Sequence, residues 1–264
     1  MSWIGKLLGR DRAASPERQL AEALAAWQAG DHGVALDLWA PLAQAGVARA
    51  QSNMGAAFLQ GQGVERDPDK AVEWLRRAAY RHDVGAQRNL ALCYYEGWGV
   101  TQDQAMAASW YEKAAHQGDS DAQDMLSWMK LLGGGCELDY EGARIWAEKA
   151  AAGGSVAAMA RLGDIFHNAL GVERDVTKAA GWWGKAARRD HPEAQAMLGA
   201  AYLAGKGVER DPVEALHWLL RAQDGGASEL AAGFIREARA HAKPLQRAEA
   251  ERRATLPLEP DTST

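Results

Sequence analysis

The chain has few of the residues that usually carry metal or redox chemistry. It contains 2 cysteines and 7 histidines in 264 residues, and the histidines are scattered without the spacing of metal ligands. Two cysteines are too few for a disulfide framework, and they favour a reducing compartment, so we expect a cytoplasmic protein. Because the histidines and cysteines also lack the spacing of ligands, we expect no cofactor and no bound metal. The net charge of -5 excludes a broad nucleic-acid surface. Nucleophile motifs and the GK[ST] of a phosphate-binding loop are also missing.

Long apolar runs are missing too. The apolar stretch in the first residues is too short for a membrane span or a signal peptide. Residues 1–16 still carry Trp3, Ile4, Leu7 and Leu8 beside two basic side chains. Two interpretations of this segment remain open. It is either a flexible tail or a short amphipathic helix that contacts a membrane surface or a partner groove through residues 3–10.

The chain is instead rich in repetition, because one pattern returns every 36 residues without an insertion or deletion. The five copies span residues 50–85, 86–121, 122–157, 158–193 and 194–229. Each copy begins with Ala, has Met or Leu at its fifth position and has Trp at its twenty-fifth: Trp74, Trp110, Trp146, Trp182 and Trp218. A fixed period of this length predicts a solenoid of stacked repeats.

Each copy encodes two helices joined by a turn. Apolar residues at positions five and nine form one stripe of a first helix, helix A, of about eleven residues. Position six is always small, which indicates close approach of a neighbouring backbone. Glycines at positions twelve and fourteen end helix A, although the fourth copy has Ala169 at the first of these positions. An invariant aspartate then predicts the N-cap of a second helix, helix B: Asp67, Asp103, Asp139, Asp175 and Asp211.

The assembled pattern, A-x3-[ML]-small-x2-aromatic-x2-G-x-G-V-x2-D-x3-A-x2-W-x3-A, resembles the Sel-one-like repeat (SLR), a relative of the tetratricopeptide repeat. The five turn segments that carry the resemblance are GQGVERD, GWGVTQD, GGGCELD, ALGVERD and GKGVERD. The resemblance implies an all-α fold, a right-handed α/α superhelical solenoid. Residues 17–49 resemble a divergent tetratricopeptide-like repeat, residues 230–254 are expected to form a capping helix, and residues 255–264 are expected to be a disordered tail.

The resemblance also implies that helix A lines a concave face, and this face supplies the candidate binding residues. The predicted partner-binding residues are Leu59, Arg88, Leu92, Tyr95, Glu96, Trp98, Asp124, Trp128, Leu131, Leu132, His167 and Leu203. Five of these are expected to form one apolar recognition patch, unless the superhelix curls tightly or the C-terminal segment folds over them: Leu92, Tyr95, Trp128, Leu131 and Leu132. Trp98 is predicted either as an exposed anchor at a turn or as a ring folded onto the next repeat.

These features favour a protein-binding or peptide-binding scaffold or regulatory adaptor of a bacterial-type cytoplasm, without catalysis. A peripheral membrane regulator that uses residues 3–10 is an alternative. Some secreted, cysteine-rich relatives of the repeat are reported to bind or cleave β-lactams, but this chain lacks their cysteine ladder. An enzyme in the groove would need a titratable cluster, and the nearest candidates are Asp124, Asp164 and His167.

Overall fold

The computed structural model describes residues 15–258, which form helices and turns without any β-strand in that range. The chain divides into two compact units, Met1–Gln117 and Gly118–Thr264, each of which is described by itself. The predicted amphipathic segment, residues 3–10, lies outside the described residues. The all-α prediction is confirmed for the described part of the chain.

Unit 1 contains six helices in its described residues and unit 2 contains eight. The helices of unit 1 are α1 (Pro16–Gln28), α2 (His32–Gln44), α3 (Ala48–Gln60), α4 (Pro68–Ala79), α5 (Val84–Glu96) and α6 (Gln104–His116). The helices of unit 2 are α7 (Ser120–Leu132), α8 (Tyr140–Ala152), α9 (Val156–Asn168), α10 (Val176–Ala187), α11 (Pro192–Ala204), α12 (Pro212–Asp224), α13 (Ser228–His241) and α14 (Pro244–Ala254). Odd-numbered helices from α3 to α11 are the predicted helices A, and even-numbered helices from α4 to α12 are the helices B.

The turn between helices A and B has the predicted chemistry. Four of the five residues at position twelve are glycines in the left-handed conformation, with φ between 67° and 75°. Ala169 takes the same conformation, with φ 57°, at the cost of a steric contact that glycine avoids. Each invariant aspartate caps its helix B, as Asp67 does by accepting a hydrogen bond from the Lys70 amide at 3.0 Å.

The small residue at position six of helix A is explained by position twenty-six of helix B. A Cβ on Gly163 would collide with the Trp183 ring, and one on Gly199 would lie 2.7 Å from Leu219. In the third copy Ser127 fills this position and donates a hydrogen bond to the Ala143 carbonyl at 2.7 Å. Close contact between the two helices of a repeat therefore outweighs the low helix propensity of glycine.

The recurring tryptophan is less uniformly buried than its recurrence predicts. Trp110, Trp146 and Trp218 are buried. Trp74 and Trp182 are half-buried, and a basic side chain stacks on each ring, with the Lys185 ammonium 4.1 Å from the Trp182 ring centre. Side chains at positions twenty-five and twenty-six of the repeat thus both contribute to the core face of helix B.

A buried glutamine at the second position of helix A links successive repeats inside each unit. Gln51 donates to the Ala43 carbonyl at 2.9 Å, and Gln195 donates to the Ala187 carbonyl at 3.1 Å. Each bond adds a side-chain donor to a carbonyl at the end of the preceding helix, which also accepts a hydrogen bond from a backbone N–H of the following turn. This recurrent glutamine was not among the residues that the sequence analysis selected.

The C-terminal segment differs from the predicted single capping helix over residues 230–254. It forms two helices, because Pro244 disfavours helical geometry in Lys243 and begins α14. Helix α14 packs on α12, where the Arg253 guanidinium lies 2.7 Å from a Glu214 carboxylate oxygen. The described part of the predicted tail continues this contact, since Arg221 donates to the Leu256 carbonyl at 2.7 Å.

Candidate partner-binding site

Unit 2 contains an apolar hollow between its helices α9, α11 and α13. The hollow has a volume of about 200 Å³ and is lined by His167, Val176, Trp183, Met197, Ala200, Ala201, Ala204, Lys206 and Phe234. Positions seven and eleven of helix A are both alanine in α11, whereas α7 has Trp128 and Leu132 there. The two small side chains leave space beside Trp183 and Phe234.

Trp183 forms one wall of the hollow and orients the polar residues beside it. Its side chain is buried against Gly163, and its indole Nε1 donates a hydrogen bond to the Asp164 carboxylate at 3.1 Å. The His167 ring lies 5.2 Å from the Trp183 ring, centre to centre. Asp164 and His167 are thus held at the same edge of the hollow by one aromatic side chain.

Burial shifts both titratable groups beside the hollow towards their neutral forms. Burial lowers the pKa of the His167 imidazole, and the positive charges of Arg174 and Lys206 lower it further, against the opposing effect of Asp164. Burial on the side facing Trp183 raises the pKa of Asp164, although another side of the residue is exposed. The hydrogen bond from the Trp183 indole and the positive charge of Arg161 act in the opposite direction, because both favour the charged carboxylate. The rim therefore offers polar groups of both signs around an apolar floor.

A largely buried ion pair fixes α7 to α9 next to this hollow. The Arg161 guanidinium lies 3.1 Å from one Asp124 carboxylate oxygen and 3.3 Å from the other. Both side chains are at most 16% exposed, so little of either charge faces solvent. Asp124, which was predicted to bind a partner, is thus already paired with Arg161.

The predicted residues on α7 are exposed to different extents. Leu132 is 62% exposed, Trp128 is half-buried, and Leu131 packs against the core of unit 2. Leu203, on α11, is buried in the core. Leu132 and Trp128 therefore remain accessible candidates, whereas Leu203 presents almost no surface to a partner.

In unit 1 the predicted residues also divide between surface and core. Leu59 is buried because it packs inside its own repeat, so it does not belong to a binding surface. Arg88, Leu92 and Tyr95 are half-buried. Glu96 is exposed at the end of α5. The five residues of the predicted recognition patch belong to different units, so their union in one patch stays a prediction.

Trp98 lies against the preceding repeat rather than the next one. Its half-buried ring has the Arg66 guanidinium 5.1 Å from its centre, a cation–π contact. A Cβ on the neighbouring Gly99 would collide with the Pro68 carbonyl, which shows how closely this turn approaches the start of α4. The ring is therefore packed within unit 1 and is only in part available as an anchor.

Several residues of the hollow were missed by sequence reasoning. Trp183 follows the recurrent Trp182 and is buried. Most copies have a large apolar residue at position twenty-six, and this recurrence could have identified Trp183 as a core residue. Phe234 lies in α13, which has lost the repeat pattern, and no sequence signal places it next to α11. The alanines are common throughout the chain, so their role depends on their neighbours in space.

Metal ligands, thiols and membrane-spanning helices are the other features of the described residues that bear on function. Within residues 15–258 no three His, Cys, Asp or Glu side chains are grouped so that they could hold a metal ion. Burial raises the pKa of the Cys93 thiol to about 12, which keeps it protonated and unreactive at neutral pH. None of the helices over the same residues has the length and apolar character needed to cross a bilayer.

Comparison with known proteins identifies the repeat. A family model described as "Sel1 repeat" matches residues 48–83, 84–119, 120–155, 156–191 and 192–226. These segments have the predicted period and begin two residues before each predicted copy. No curated protein sequence matches the chain.

Two solved structures resemble the chain along most of its length. A Sel1 repeat protein from Oxalobacter formigenes is similar with a TM-score of 0.75 at 25% identity, covering 86% of this chain and 99% of that one. The protein c5321, a protective antigen present in uropathogenic Escherichia coli strains and displaying an SLR fold, is similar with a TM-score of 0.79 at 29% identity. That match covers 96% of this chain but 56% of c5321, so this chain spans little more than half the length of that relative.

Proposed function

This chain belongs to the Sel1 repeat family, whose members generally act as protein-interaction scaffolds, and we propose that it binds a peptide segment of a partner protein through the hollow between α9, α11 and α13. The hollow combines an apolar floor with polar groups at its rim. Concave sites with this composition are the usual binding sites of folded proteins. The observation that carries the proposal is the space left by Ala200 and Ala204 beside Trp183 and Phe234.

The size of the hollow sets the chemistry of the bound segment. A volume of about 200 Å³ suits one large apolar side chain, which would contact Met197, Phe234 and the Trp183 ring. Burial of such an anchor is worth about 1.5 to 3 kcal/mol. His167 and Lys206 line the hollow, where they can bind the backbone or polar side chains that flank the anchor.

The rigidity of the surrounding helices supports this use. The Trp183–Asp164 hydrogen bond joins α10 to α9 at one wall of the hollow, and the Arg161–Asp124 pair joins α9 to α7. A site whose walls are already fixed loses less conformational entropy when a ligand enters. The proposed site therefore needs no rearrangement of the helices before binding.

Filling the hollow tests the proposal. Ala200→Trp places an indole in the space that the anchor would occupy, and Ala157→Trp adds the same side chain at an exposed position of α9 as the matched control. Immobilised wild type and both variants are exposed to lysate of the source cell, and bound proteins are compared by quantitative mass spectrometry. Thermal melts verify that both variants are folded.

We expect proteins that wild type and Ala157→Trp retain to be depleted on Ala200→Trp by about tenfold or more, since loss of an apolar anchor removes about 1.4 kcal/mol or more. Recovery of the same proteins in the same amounts on all three would contradict the proposal.

A further inference from the structure

A second cleft of unit 2 lies between α10 and α12 and shares no lining residue with the hollow described above. It consists of two hollows of about 410 and 280 Å³, which share Arg188 and Trp218. Tyr202 and Leu198 line the larger hollow, and His217 lines the smaller one under residues 256–258. The cleft is therefore bounded by aromatic, apolar and basic side chains.

Two glycines in the middle of α10 open the wall of this cleft. Gly181 and Gly184 both line the larger hollow. A Cβ at Gly181 would meet no atom within 4 Å, and one at Gly184 would meet only the tip of the Arg188 side chain, at 3.7 Å. Glycine destabilises a helix interior relative to alanine, and the packing of the protein itself does not require it at either position. The other copies of helix B have a larger residue at each of these positions.

Three polar groups in the cleft lack partners among the described residues. The exposed Arg188 guanidinium has no ion pair or hydrogen bond with any residue in 15–258, and neither does the hydroxyl of the half-buried Tyr202. His217 is 5% exposed, and its Nδ1 atom is buried without a hydrogen-bond partner. Of the three, only the His217 atom is buried, and because buried polar atoms are normally paired it points to a missing partner in the cavity, whereas Arg188 and Tyr202 are open to a ligand from solvent.

The charge of the cleft indicates the sign of that ligand. Arg188 and Arg253 both line it, and Arg253 is bound to Glu214 at 2.7 Å. The second oxygen of Glu214 accepts a hydrogen bond from the Trp218 indole at 3.1 Å. Glu214 is thus engaged on both oxygens, which leaves the Arg188 guanidinium and the Tyr202 hydroxyl as available donors.

We propose that the cleft between α10 and α12 binds an organic anion, namely a carboxylate or sulfonate carried on an aromatic body. The oxyanion accepts hydrogen bonds from the Arg188 guanidinium and the Tyr202 hydroxyl, and such charge-assisted bonds are strong and specific. The aromatic body packs on the Trp218 ring and over the exposed backbone at Gly181 and Gly184, with His217 at its edge. This site is independent of the peptide site proposed above.

The test is calorimetric titration of the full chain with anilinonaphthalene sulfonate, an aromatic anion of this class. Wild type is expected to bind it at one saturable site. Arg188→Glu should weaken binding by about tenfold or more, because it replaces the donor with a repelling charge. Ala200→Trp, which fills the other hollow of unit 2, should bind the probe as wild type does.

The glycines supply a variant that separates binding from folding. Gly181→Ala with Gly184→Ala should raise the Tm by roughly 4 to 8 °C, because alanine favours the helix, yet weaken binding by about tenfold through lost space. Gly233→Ala is the matched control, since it also lies inside a helix with room for a Cβ. This control should raise the Tm and leave the affinity unchanged.

Four results would overturn the proposal. The first is an Arg188→Glu variant that is folded and binds the probe with the affinity of wild type. The second is unchanged affinity in the alanine pair despite its higher Tm. The third is loss of binding in Ala200→Trp, which would move the probe to the other hollow. Equal affinity for the uncharged analogue phenylnaphthylamine would likewise show that the cleft does not recognise an anion.

Discussion

Single residues in this chain show how a repeated turn fixes local geometry and where one copy departs from it. At position twelve of each copy the backbone is left-handed, and glycine takes this conformation without a steric penalty. Ala169 is forced into it in the fourth copy, with φ 57°. The turn keeps its shape there because the aspartate cap and the helices on both sides determine it.

Ala169→Gly should therefore stabilise the protein by about 0.5 to 1 kcal/mol, because the left-handed strain of alanine exceeds the entropy that glycine loses on folding. Gly205→Ala, at the same position of the fifth copy, should destabilise it by a similar amount or more. Both changes are measured by urea denaturation. A loss of stability in Ala169→Gly would contradict the strain argument.

His217 makes stability depend on pH. Burial lowers the pKa of its imidazole from 6.5 to about 4, with the positive charges of Arg253 and Arg221 adding to the effect and Glu214 opposing it. The unfolded chain takes up a proton near pH 6.5, but the folded chain does so only near pH 4. The free energy of unfolding is thus not reduced by this residue above pH 6.5. As the pH falls from 6.5 to about 4, protonation of the unfolded chain lowers the free energy of unfolding by at most about 3 kcal/mol.

Replacing this residue should weaken that dependence. His217→Phe is expected to reduce the fall in the free energy of unfolding between pH 7 and pH 4, as measured by denaturant titration at several pH values. His241→Phe, at an exposed position, is the control and should leave the dependence unchanged. If both variants lost stability with the same pH dependence as wild type, the buried imidazole would not be its source.

At the scale of helices, recurrence in the sequence and burial in the structure select different residues. The sequence marks Trp182, which recurs in every copy. In the structure, however, its neighbour Trp183 is buried on Gly163 and hydrogen-bonded to Asp164. Helix A and helix B touch at position twenty-six, so the side chain at that position determines how closely the two helices of a repeat approach.

Trp183→Ala should destabilise unit 2 by about 3 to 5 kcal/mol, since it leaves a large cavity. Trp182→Ala should cost about 1 kcal/mol, because the ring is half-buried and mainly stacks with Lys185. Guanidinium denaturation of the two variants compares these costs directly. Equal costs would mean that recurrence, and not burial, predicts the energetics of helix B.

At the scale of the whole molecule, each described repeat contacts its neighbours along the chain within its unit. Buried glutamines such as Gln51 and Gln195 connect successive repeats through carbonyls at helix ends. The stability of such an array is approximately a sum over repeats and the interfaces between neighbours. Local substitutions are therefore expected to have local effects.

Gln195→Ala should reduce hydrogen-exchange protection mainly in α10, α11 and α12, because it removes the side-chain hydrogen bond that joins α11 to the Ala187 carbonyl, at a cost of about 0.5 to 1.5 kcal/mol. Helices α1 to α4 should keep their protection. Gln51→Ala should produce the converse pattern around α2 and α3. Uniform loss of protection over all described helices in either variant would refute this local behaviour.

Much of the fold could be predicted from the sequence because its determinants are local. The left-handed glycines, the aspartate caps and the apolar spacing each act within one copy, and the structure confirms the first two at every turn. Leu59 and Leu203 were selected for binding by their repeat position, but they are buried. The hollow at Trp183 was missed because it depends on Phe234, which lies in a helix without the repeat signature.

The sequence by itself determined the repeat, its period, its two helices and its turn, since these follow from spacing, propensity and capping within 36 residues. The tertiary structure alone decided which recurrent positions are core, how α14 packs on α12, and where the apolar hollow and the cleft between α10 and α12 lie. The physical reason is that a cavity or an accessible side chain is a property of contacts between helices. Such contacts arise from residues far apart in the chain, and only packing brings them together.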